Sequence, residues 1–376
     1  MLKMVMTTVF STALSAVVWA APIETAIRPG TPPLGPQVGQ RQTPPAPPSP
    51  PLPQAPATPA PRDRAAAARE AERARTRVFV GRMGPQRKGP WVEVTGDPLT
   101  ASFSGADGDV LELSNTAGDV VISSARGGEG RIVARRRAGA RTDAEARALL
   151  ERMRLDVRQH VQRVVVRAEP AGSASTYRLD YEIALPKGMG VNVRNVSGSV
   201  ALTDVAGDVR IEALSGNITG RGLSILRSMR TMSGVIAVEA CTLVGDANLQ
   251  TVSGTVKASS LKASSLTLGS VSGDIQVKDA GCDRVNVRTV NGNIEFASPA
   301  LGGGRYELKT HAGSIVVLTG PSSAGFEFEA QTFKGRVRSD VNGSGGEDAR
   351  QLSGRIGDGS AFFDLTSFVG DIHIRK

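Results

Sequence analysis

The chain has 376 residues, a formal net charge of +9 at pH 7, 43 glycines, 22 prolines and two cysteines. That length admits a sizeable core, and two cysteines exclude a disulfide-dense scaffold. The charge excess is local: residues 1–194 hold 27 Lys and Arg against 18 Asp and Glu, and residues 195–376 hold 18 against 18.

The first segment, MLKMVMTTVFSTALSAVVWA, is a short apolar run after Lys3 that ends in small residues. It reads as a signal peptide over 1–20, too weak for a membrane span. Residues 21–61 include PPAPPSPPLPQAPATPAP, which has little apolar surface to bury and reads as a disordered, Pro-rich linker. Residues 62–77, RDRAAAAREAERARTR, suit a solvated basic helix in which Arg69 and Arg73 could meet an anionic lipid or glycan. Export makes nucleic acid an improbable partner and limits membrane contact to a peripheral role.

Residues 78–376 are expected to form one β-solenoid domain. A first turn, VLELSNTAGDVVI, carries Gly118 and is followed by an α+β excursion at about 131–186. The excursion contains Arg135, Arg136 and Arg137, the densest basic cluster, which is a second candidate for an anionic partner. A helix should begin at Thr142 or Asp143, because Thr142 and Glu145 have capping-box spacing. Two strands turning near His160 and a strand at TYRLDYEIALP complete what reads as a cap on the first rung.

The stretch Val191–Gly220 carries glycines at Gly198, Gly207 and Gly216, nine residues apart. Each is preceded by apolar residues at minus seven, minus five and minus two, and followed by one at plus two. Read as strand, glycine corner, strand, the pattern places those apolar residues, Val196 and Leu214 among them, in a core. Corners continue at Gly234, Gly254, Gly273, Gly292, Gly313 and Gly335 with the interval roughly doubled, and LSGRIG at Gly354 and SFVGDIHI at Gly370 close the series. Repetition on this scale predicts an all-β fold: a parallel β-solenoid (β-helix) of about ten short rungs with a small α+β insert as its N-terminal cap.

The stretches SVSGDIQV, TVNGNIEF and SFVGDIHI, with an insert after the first rung, resemble the bacterial DUF4097 family over roughly residues 105–376. That resemblance implies a β-solenoid and an adhesive or envelope role, and it brings no catalytic residues.

Nothing in the chain assembles an active site. The residues after the corners (Asp119, Ser199, Asp208, Asn217, Asp274, Asn293 and Asp371 among them) read as turn chemistry rather than stacked carboxylates. His160, His311 and His373 have no Cys or second His at ligand spacing, so neither metal nor cofactor is expected; His311 should face inward or lie at a corner. Cys241 and Cys282 should lie two rungs apart, beyond the reach of a disulfide. Trp91 is the one tryptophan after the signal segment, which disfavours a sugar-stacking module, and Phe326, Phe328, Phe333, Phe362, Phe363 and Phe368 should plug the last rungs. The expected function is an exported, non-enzymatic, adhesin-like binding protein for a protein or an anionic envelope polymer, at the cell surface or in the periplasm. End-to-end self-association is the alternative, and polysaccharide cleavage the third.

Overall fold

The computed structural model describes residues 92–125, 127–169, 176–340 and 349–375. The expected signal peptide, linker and basic helix, with Arg69, Arg73 and Trp91, lie outside them. The described chain is all-β with one helix, and its strands join in a single, mostly parallel sheet.

Two parallel ladders run through the molecule. In the first, Leu113 is followed rung by rung by Val193, Ile211, Met229, Leu249, Leu268, Val287 and Leu308. In the second, Ile122 is followed by Leu202, Gly220, Val238, Ala258, Val277, Phe296 and Val317. Side chains alternate across each strand, so each ladder turns one apolar set inward, and together these sets form one continuous core. Strand neighbours lie about 4.8 Å apart, so each rung is covered by the next.

The register corrects the nine-residue period. Val209 pairs with Val191 and Ile218 with Val200, so the repeating unit is eighteen residues and nine is half a turn. Gly207 therefore stands at the opposite end of the rung from Gly198 and Gly216, where a Cβ would fall 2.4 Å from the Met189 carbonyl oxygen. The interval does not double after Gly220. Rungs lengthen slightly because an extra bend is absorbed by Ala240, Ser260 and Asp279, each at φ 50.

The corner column runs through Gly118, Gly198, Gly216, Gly234, Gly254, Gly273, Gly292 and Gly313. A Cβ on Gly254, whose φ is +147, would sit 2.0 Å from the carbonyl oxygen of Gly234. Only glycine permits both this approach and this backbone conformation. Beside the corners stands a column of buried hydroxyls. Thr251 donates to the Gly234 carbonyl at 3.3 Å, Thr289 to Gly273 at 3.2 Å and Thr310 to Gly292 at 3.0 Å. Asn195 donates likewise to the Gly198 carbonyl at 2.7 Å. On the outer side, the carboxamide or carboxylate after the corner accepts from the next rung's backbone: Asn217 from Val235, Asp274 from Asn293 and Asn293 from Ser314, at 2.8–2.9 Å.

Chain order and spatial order part at the C-terminal end. The strand Ala361–Val369 lies between Arg305–Ala312 and Phe326–Lys334, and Ile372–Arg375 lies between Ile315–Leu318 and Val337–Ser339. Gly370 consequently stacks on Gly313, and Gly335 stacks on Gly370. Gly354 is no corner: its strand Gln351–Ile356 lies antiparallel along Phe326–Lys334. At the other end, Glu129–Ala140 lies antiparallel on Tyr177–Leu185, and Arg154–His160 on Arg163–Glu169. The helix Asp143–Arg152 packs here, with Thr142 as its N-cap accepting from the Glu145 N–H at 3.2 Å.

Gly254→Ala should cost about 3 kcal/mol or more, since it combines a forbidden backbone conformation with a backbone clash. Gly269→Ala, whose Cβ would meet only the Gln250 Cγ at 3.5 Å, should stay within about 1 kcal/mol of the parent. Urea denaturation of the two variants measures the difference.

Candidate functional site

Alternation along a strand has a consequence for the residue two before each corner. If positions minus seven, minus five and minus three face the core, minus two faces solvent. The structure places Val196, Leu214, Met232, Val252, Val271 and Val290 on the surface, Val196 at 44% exposure and Met232 at 54%. The expectation that these residues belong to the core is thus corrected. They form a ladder of apolar side chains, one per rung, beside the corner edge.

The ladder ends in aromatic rings. His311 stacks on Phe368 with ring centroids 4.8 Å apart, and Phe333 stacks on the other face of Phe368 at 4.8 Å. His311 is exposed rather than inward. Phe333 is 57% exposed and Phe368 44%. The expected aromatic plug is real for Phe326, Phe328 and Phe363, which are buried, while Phe362 is half-buried beneath the Arg305 guanidinium. Tyr306 joins the plug, stacked on Phe363 at 4.5 Å.

A second outward column, four before each corner, runs parallel to the first through Arg230, Gln250, Gly269, Arg288 and Lys309, then Thr366 and Gln331. Two open grooves lie between the columns. One of about 370 Å³ is lined by Arg230, Gln250, Val252, Gly269, Val271 and Arg288. The other, of about 530 Å³, is lined by Arg288, Lys309, His311, Gln331, Phe333 and Phe368 among others. Arg288 borders both, so the two lie end to end along the rungs as one interrupted trough. No carboxylate lines either groove.

Acids border the trough on two sides: Glu212, one rung before Arg230 in the same column, pairs with Arg194 at 3.5 Å, and others stand one column further out. Glu307 receives Lys309 at 2.7 Å and Arg288 at 2.9 Å, and Lys309 also meets Asp364 at 3.0 Å. The Lys309 hydrogen bond holds Glu307 below the usual carboxylate range against the opposing effect of burial, with Arg288 adding to it. Arg230 has no carboxylate partner among the described residues.

The basic cluster on the excursion is differently placed. Arg135 pairs with Glu182 at 3.0 Å, Arg136 donates to the carbonyls of Asp97 and Leu150, and Arg137 pairs with Glu93 and Asp180. These guanidinium groups tie the cap together. Burial works against ionising Asp180, but the Asp119 N–H, Arg137 and Arg178 outweigh it and hold the carboxyl below its ordinary range.

Among the described residues, no three His, Cys, Asp or Glu side chains converge as a metal site. Cys241 and Cys282 are free and buried. Burial pushes the Cys282 thiol up to about 11, opposed by a backbone hydrogen bond from Ala263.

These features define an all-β, solenoid-like repeat protein built on a mostly parallel sheet, with a surface trough and an apolar ladder. The chain belongs to the Toastrack DUF4097 family, whose model matches residues 109–375. No curated protein matches it. Among solved structures, it is similar to a candidate cell adhesion protein from Clostridium sporogenes, with 11% identity, 74% of this chain and 99% of that one covered, and a TM-score of 0.22. A candidate adhesin from Bacteroides fragilis matches with 12% identity, 74% and 97% coverage and a TM-score of 0.38. A candidate lipid binding protein from Parabacteroides distasonis matches with 12% identity, 75% and 98% coverage and a TM-score of 0.27.

Both cysteines should react with a maleimide at pH 8 at least about a hundredfold more slowly in the native chain than in urea, because a buried, protonated thiol is a poor nucleophile. For Asp180, a carboxyl depressed in the fold contributes stability above its unfolded pKa of about 3.9 and loses it as pH falls through the folded value. Asp180→Asn should therefore be less stable than the parent at pH 7 and show a shallower acid limb in a stability profile from pH 7 to pH 2.

Proposed function

We propose that this chain is an exported, non-enzymatic, adhesin-like protein that holds a partner along the outer face of about ten rungs, a surface ladder of apolar side chains beside a basic trough. The observation that carries the reading is the unbroken apolar ladder from Val196 to Val290, continued by His311, Phe368 and Phe333. Isolated surface apolar residues are ordinary, but a contiguous row rimmed by polar columns marks an interaction site. The Pro-rich segment between the expected signal peptide and the solenoid suits a spacer that carries this face away from the cell's anchoring layer. The partner class is an envelope polymer or protein.

End-to-end stacking of copies is a weaker reading. Antiparallel strands run along Tyr177–Leu185 and Arg163–Glu169 at one end and along Phe326–Lys334 at the other. Such strands occupy the edges that a second copy would extend.

The test is co-sedimentation of the chain from Ala21 with envelope fractions of its source cell, in parallel with a Met232→Asp, Val252→Asp, Val271→Asp variant. These exposed substitutions should leave the melting temperature within a few degrees of the parent. The parent should sediment with the envelope and the variant should lose at least about tenfold in retention, since each Asp places an unpaired charge in an apolar contact. Equal retention of both proteins would remove the ladder from the binding face.

A further inference from the structure

The trough selects among partner chemistries, and the inference drawn from it rests on the binding-face reading above. We infer that the trough takes a linear acidic polysaccharide, laid along the solenoid axis with its sugar rings against the apolar ladder and its carboxylates toward Arg230, Arg288 and Lys309.

The trough crosses the strands, running from Arg230 to Gln331 over six rung spacings, or about 29 Å. An occupant lying in it meets a new rung every 4.8 Å or so. It must therefore be long, extended and repetitive. A sugar unit is about as long as a rung is thick, so a linear glycan can present each successive ring to a rung in the same way.

Backbone hydrogen bonding argues against an extended peptide. The strands flanking the trough spend their N–H and C=O groups on their ladder neighbours. They offer no free edge along the axis, so a peptide lying there would lack the main-chain bonds that give strand addition its affinity. A glycan has no such requirement, because its ring faces are apolar and its hydroxyls accept side-chain partners. Acyl chains are disfavoured for another reason. The space between the ladders is filled by core side chains, and the grooves are open troughs rather than enclosed cavities.

Charge complementarity sets the sign of the partner. Three cations stand in the wall and no carboxylate lines the trough; Arg288 and Lys309 share Glu307 outside it, while Arg230 makes no ion pair within the described fold. Gly269 interrupts the wall between Gln250 and Arg288. With no side chain there, the wall opens beside the Arg288 guanidinium, leaving room for a carboxylate to approach it. On the far side of the apolar ladder, Ser215, Ser233, Ser253 and Ser272 are exposed at successive rungs and can meet ring hydroxyls.

The probe is a short galacturonate oligomer titrated into the full chain by calorimetry, with its fully methyl-esterified form, a glutamate oligomer and anionic phospholipid vesicles as comparisons. Binding of the galacturonate oligomer alone is expected, weakening as salt rises. Arg230→Ala with Arg288→Ala should weaken it by at least about tenfold, as loss of charged hydrogen bonds requires. Gly269→Trp, which fills the gap, should weaken it comparably, whereas Lys257→Ala, on the other outward face, should leave it unchanged. Equal binding of the esterified oligomer, no binding of the acidic one, or stronger binding of the peptide or vesicles would each overturn the inference. The outcomes separate cleanly from the binding-face reading. Failure here with loss of envelope retention in the triple Asp variant leaves an adhesive face with another ligand; equal envelope retention in that variant removes the face itself.

Discussion

The solenoid depends on one contact: a glycine carbonyl of one rung occupying the space where the next rung's corner would carry a Cβ. At Gly254 the oxygen of Gly234 stands 2.0 Å from that point, and the same approach repeats through the column. Because the corners touch backbone to backbone, successive rungs fall into register without a loop to guide them. The buried threonines then satisfy the corner carbonyls, and the carboxamides outside bridge to the next N–H. The corner carbonyls are thus paired within the stack itself, which is the condition for a repeat to be both tightly packed and extendable.

That constraint also creates the candidate site. Position minus three must face inward to reach the corner carbonyl, so position minus two has to face out. The residue there is free of structural duty, and it is nevertheless Val, Leu or Met in every rung from Val196 to Val290. The ladder is therefore a property of the surface rather than an overflow from the core. The basic column two residues earlier stands on the same face by the same alternation, and the trough between them follows from strand geometry.

Much of this was legible in the residues. Glycine recurrence announces the rungs, Thr142 with Glu145 places the helix, and the spacing of Cys241 and Cys282 argues that they stay apart, as they do. Apolar character at minus two misleads, because hydrophobicity suggests burial where parity with the threonine at minus three points outward. Gly207 misleads for a related reason: two half-turns of similar sequence look like two rungs until strand pairing shows eighteen residues between partners. The aromatic stack of His311, Phe368 and Phe333 could not have been read from order along the chain, because Phe368 lies spatially between the other two but follows both in sequence.

That displaced rung alters how the stack can be completed. From Gly190 the rungs follow chain order as far as Leu318, and then the adjoining place in both ladders belongs to residues 361–375. The segment Phe326–Ser339 has its parallel partners only in those later residues. In the finished fold it lies between the final strands on one side and Gln351–Ile356, antiparallel, on the other. The C-terminal residues therefore act as a keystone rather than an end-piece, and removing them opens a gap inside the aromatic end of the core instead of shortening the solenoid by a turn.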